Sequence, residues 1–95
     1  MLVAAGTLNI KIPYSHSLKE KRAVINSIKR KLVNKFNISV AEVGDLDLRN
    51  SAIIGFSAVS SDKNYLMSTV EKVFDFIETN FDIVLTNQDF EILNY

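Results

Sequence analysis

Ile38-Ser39-Val40-Ala41-Glu42-Val43 alternates apolar and polar residues as a strand does, and a second strand runs from Ser51 to Ser60 through Ala52-Ile53-Ile54-Gly55-Phe56-Ser57-Ala58-Val59. The segment Gly44 to Asn50 between them is polar, longer than a tight turn and still short enough for a hairpin. Two strands therefore follow one another directly. What flanks the pair settles the fold.

On the N-terminal side, Ser17-Leu18-Lys19-Glu20 reads as a capping box. The Ser17 hydroxyl accepts from the Glu20 N–H, and Glu20 reaches back to the Ser17 N–H. The helix that follows carries Leu18, Ile25, Ile28, Leu32 and Phe36 in a narrow arc, with Asn37 as its stop signal. Upstream, residues 2–12 alternate as a strand that sets Leu2, Ala4, Gly6, Leu8, Ile10 and Ile12 on one face, and Pro13 ends it. Tyr14-Ser15-His16 is a short connection. On the C-terminal side Ser60, Ser61 and Asp62 offer N-caps for a second helix. Its buried stripe is Leu66, Val70, Val73, Phe74 and Ile77, with Phe81 at its end. Ile83-Val84-Leu85 opens a last strand that continues through Phe90, Ile92 and Leu93 towards Tyr95.

The order is βαββαβ. Right-handed crossovers place both helices on one face of a four-stranded antiparallel sheet, giving an α+β, ferredoxin-like sandwich. At 95 residues the chain is expected to form one domain over 1–95. The other sheet face takes Val3, Ala5, Ile53, Gly55 and Val59. It is small and apolar, so a homodimer or a partner covering it is expected.

Composition narrows the function. Cysteine is absent, which excludes disulfides, thiolate metal sites and cysteine nucleophiles. No apolar run is long enough for a membrane helix, and no basic segment precedes Leu2-Val3-Ala4-Ala5. A cytoplasmic protein without a secretory leader or membrane partner is expected. The formal net charge is zero, yet the signs are segregated. Between Lys11 and Lys35 stand eight bases and one acid, Glu20, whereas the rest of the chain holds three bases and ten acids. The molecule is expected to be bipolar.

The basic helix is the main chemical signal. Lys19, Arg22, Lys29 and Arg30 share an exposed stripe suited to tracking phosphates, and the helix start offers free N–H groups to an anion. A solvated helix face is the plain alternative, weakened because no acids interleave with the bases. An RNA-recognition motif has this topology and stacks bases on aromatic residues of its first and third strands. Here the first strand begins Leu2-Val3-Ala4-Ala5, and the only aromatic of the third, Phe56, is assigned to the core. RNA binding must then run through phosphates and shape.

Other constellations are weaker. His16 has no partner of its kind and reads as an exposed loop residue. Glu42, Asp45 and Asp47 around Gly44 form an acidic hairpin that is a conceivable Mg²⁺ or Ca²⁺ site, but turn formation accounts better for Asp45 and Asp47. No nucleophile elbow, P-loop or dinucleotide fingerprint is present, so no catalytic residue, metal ligand or cofactor is assigned and the protein is not expected to be an enzyme.

The runs Ser17-Leu18-Lys19-Glu20-Lys21-Arg22, Lys35-Phe36-Asn37-Ile38-Ser39-Val40-Ala41-Glu42-Val43-Gly44-Asp45 and Ala58-Val59-Ser60-Ser61 resemble the YlxP-like family, small bacterial proteins classed as a domain of unknown function. The resemblance covers nearly the whole chain and is firmest over residues 17–61. It implies a ferredoxin-like fold and a translation setting, because such proteins are often encoded beside initiation factor 2 and ribosome-binding factor A. It assigns no catalytic residue. Relatives often carry tryptophan where this chain has Arg49; a lost packing residue is the plainer explanation, and replacement of a stacking contact by cation–π or phosphate contact is the alternative. The expected role is therefore binding of structured RNA, ribosomal RNA or ribosomal particles, through Lys19, Arg22, Lys29 and Arg30. The alternative is a homodimeric protein–protein module using the open sheet face.

Overall fold

A computed structural model describes residues Met1–Tyr95. The elements are β1 (Leu2–Lys11), α1 (Leu18–Lys35), β2 (Ser39–Gly44), β3 (Ser51–Ser60), α2 (Lys63–Asn80) and β4 (Val84–Asn94). The expected βαββαβ order holds, and the strands form one antiparallel sheet in the order β2-β3-β1-β4. Composition explains which strands lie inside. β1 and β3 are ten residues long and rich in buried apolar side chains. The edges are the six-residue β2 and the polar β4, which carries Asp89 and Glu91. Short or charged edges resist pairing with other chains.

Seventeen buried apolar residues make a single core. Ile25, Ile28 and Leu32 come from α1, and Leu66, Val70, Val73, Phe74 and Ile77 from α2. They close over Ala4, Leu8, Ile10, Ala52, Ile54, Phe56 and Ala58 on the inner sheet face. Local signals act largely as read. Asp62 caps α2 by accepting from the N–H groups of Asn64 and Tyr65. Ser17 Oγ accepts from the Glu20 N–H at 3.1 Å. The return half of the box differs, since Glu20 Oε2 accepts from the His16 N–H at 2.9 Å rather than from that of Ser17. A negative carboxylate therefore stands close to the positive end of α1, where it opposes an external anion.

Gly6 is needed for the aromatic part of the core. It faces Phe56 across one ladder and Phe90 across the other. Phe74 packs edge-on to both rings, with centroids 5.8 and 6.2 Å away. A Cβ on Gly6 would lie 2.5 Å from Phe56 Cζ, and Phe74 blocks the ring's retreat. Gly6→Ala is expected to cost about 1–3 kcal/mol, read as a lower midpoint in urea. An unchanged midpoint would show that the Phe56 ring moves freely.

Candidate functional site

The helix periodicity that buries Ile25, Ile28 and Leu32 also fixes which α1 residues face water. Lys19, Arg22 and Arg30 are exposed and Lys29 is half-buried. These four, with Asn26 and the exposed Val33, occupy one flank of the helix. The opposite flank turns towards α2. There Lys31 Nζ sits 5.3 Å from the Phe81 ring centre and Lys35 Nζ 5.1 Å from that of Phe76. From Lys19 to Arg30 the outer flank runs about 16 Å, enough to meet several phosphates.

No carboxylate lies within 4 Å of any of the four bases, because the molecule's single ion pair is elsewhere. Several of the acids stand on other elements. Glu71, Asp75 and Glu78 are exposed on α2, and Asp89 and Glu91 on β4 at the far sheet edge. Elsewhere the signs adjoin: Glu20 stands in the first turn of α1, and Lys35 shares a surface cleft with Lys72 and Asp75.

The single ion pair involves a residue that the sequence reading placed only among the bases. Lys21 is 1% exposed, and its Nζ stands 2.8 Å from Glu42 Oε2, itself on the inner face of β2. The ammonium donates to the backbone carbonyls of Asp45 at 2.8 Å, Ser51 at 3.2 Å and Leu46 at 3.3 Å. Those three bonds use every proton of the group. Glu42 Oε2 makes no directed hydrogen bond, so the pair is held by charge. A signal for this was present. Leu18, Lys21, Ile25, Ile28 and Leu32 follow the 3-4-3-4 spacing of a buried stripe, and Glu42 shares the inward alternation of Val40.

The hairpin acids do not converge. Glu42 is committed to Lys21, Asp47 is exposed, and Asp45 Oδ2 accepts a long bond of 3.4 Å from Ser51 Oγ. Asp45 takes a left-handed backbone, φ 58°, which aspartate tolerates in turns. Nowhere do three His, Asp or Glu side chains gather as metal ligands do. His16 is exposed, as expected.

On the outer sheet face Ala5, Thr7, Ala41, Val43, Gly55 and Ser57 line a shallow trough of about 360 Å³. Val43 and Val59 are more than half exposed there, while Val3 and Ile53 are partly covered. No helix of the molecule is long and apolar enough to cross a membrane.

A family described as a protein of unknown function, DUF503, matches residues 3–90. The chain belongs to this family. The Uncharacterized protein YlxP of Bacillus subtilis (strain 168) is 40% identical over 63 residues, 66% of this chain and 68% of the relative. That bears out the YlxP-like resemblance. Among solved structures, this DUF503 chain is similar to a putative chlorite dismutase, with a TM-score of 0.53 and 12% identity over 97% of its length. It spans only 44% of that protein. At this identity the likeness shows the ferredoxin-like fold alone.

Proposed function

We propose that this protein works in the cytoplasm by binding rather than by catalysis, and that its ligand is structured RNA held on the outer flank of α1. One observation carries the reading. Four bases line that flank with no carboxylate within 4 Å, in a chain that has as many acids as bases. Their mutual repulsion is relieved when a polyanion supplies the missing negative charge. The translation setting implied by the YlxP-like resemblance favours ribosomal RNA. Lys19, Arg22, Lys29 and Arg30 serve as phosphate contacts, and sequence selection comes from RNA shape because no aromatic platform faces outward on β1 or β3. The test is binding to ribosomal RNA and to 30S and 50S particles across a salt series. Four phosphate contacts give a log–log slope of about −3 to −4. Absence of binding at low salt would make the flank a solvated surface.

A second reading, a homodimer through the outer sheet face, is favoured by the exposure of Val43 and Val59 beside the trough. Val3→Asp and Ile53→Asp are then expected to halve the mass seen by sedimentation. A wild-type mass already equal to one chain would dispose of this reading.

A further inference from the structure

Lys21 occupies a core position of α1 where leucine would bury no charge, and a buried ion pair gains little stability over apolar packing. What lysine does there, and leucine cannot, is fix the path of the chain between β2 and β3. Its ammonium fastens the carbonyls of Asp45, Leu46 and Ser51. Ser15, 2% exposed, donates to the Arg49 carbonyl at 2.6 Å and also lies 3.2 Å from that of Ser17. The Ile12 N–H donates to the Asn50 carbonyl at 2.8 Å. The loop is thus tied to α1 and to the connection that opens it.

The tied loop carries one base. Arg49 is exposed and has no carboxylate within 4 Å. Its backbone lies one hydrogen bond from the connection into α1, at the end of the helix that bears Lys19 and Arg22. Of the acids at this end only Glu42 has its charge paired, by Lys21; Glu20 and Asp45 accept from neutral donors, Asp47 is exposed, and none of the three lies within 4 Å of a base. We propose that Arg49 is a further phosphate contact of the same RNA surface, with Lys21 and Ser15 as the positioning residues that hold it beside the first turn of α1. A guanidinium suits this role because its planar fork grips a phosphate with two donors. The inference rests on the RNA reading and extends the surface from one helix to a helix and a loop.

The test uses the full chain and a labelled duplex RNA hairpin, followed by fluorescence anisotropy across a salt series. Arg49→Ala is expected to weaken binding about fivefold and to flatten the salt slope by about 0.9, and Arg49→Lys to restore the slope. In a Ser15→Ala/Lys21→Met/Glu42→Leu background, which removes both side-chain ties and the buried charges together, Arg49→Ala should leave the slope unchanged. If that background fails to fold, Ser15→Ala alone replaces it. Equal losses from Arg49→Ala in both backgrounds would overturn the positioning role. Wild-type binding by Arg49→Ala, while Arg22→Glu/Lys29→Glu loses binding, would overturn the Arg49 contact and leave the RNA reading standing. No binding by wild type would remove the RNA reading itself.

Discussion

Lys21→Met is expected to destabilise the fold by about 3–5 kcal/mol, a large part of the roughly 5–15 kcal/mol that holds a domain of this kind together. The methionine keeps the length of the stem, so packing against Ile25 changes little. What goes is the charge. Glu42, 16% exposed, is left as a carboxylate without its counter-ion, and the carbonyls of Asp45, Leu46 and Ser51 lose their donor. Each orphaned group must recover water or remain unsatisfied. Lys21→Met/Glu42→Leu should regain most of the loss, because the unpaired charge is gone and apolar volume fills the site. Urea denaturation of the single and double variants checks both statements. A loss below about 1 kcal/mol in the single variant would mean that the loop releases its carbonyls to solvent without resistance.

Arg22→Glu/Lys29→Glu is expected to weaken RNA binding on the order of 100-fold at low salt and to flatten the log–log salt slope by about 2. Two phosphate contacts disappear, and two like charges now face the backbone. The loss should be similar for unrelated duplex sequences, since these side chains meet phosphates rather than base edges. Stability should move little, within about 0.5 kcal/mol, because neither base has an ion-pair partner to lose. Anisotropy and thermal melting together separate this outcome from simple unfolding. Unaltered binding by the double variant would move the RNA contact off α1.

The contrast between these two variants shows how unevenly the site was legible. The outer flank of α1 follows from periodicity alone: once Ile25, Ile28 and Leu32 face the core, Lys19, Arg22, Lys29 and Arg30 must lie towards water. Lys21 belongs to the same run of bases, but its fate depends on a carboxylate on β2 and on three carbonyls at the ends of β2 and β3 and in the loop between them. A charge at a buried spacing is ambiguous until its partner is known. Glu20 shows a smaller version of this. The capping pattern located the helix start, yet the carboxylate settled on His16 because the extended backbone of Ser17 sets the preceding N–H within its reach.

By itself the sequence determined the six elements, their order, the two buried helix stripes and the division of charge, since each depends on spacing within about ten neighbouring residues. The crossover rule then sufficed to put both helices on one face. Only the tertiary structure decided that Lys21 and Glu42 form the single ion pair, that Ser15 ties Arg49 to the opening of α1, and that Gly6 must lack a side chain beneath Phe56. These contacts join residues 21 to 50 positions apart, brought together by the packing of α1 and the strands. The energy of a buried charge or of a packed ring depends on what lies across the gap, and no local pattern encodes that.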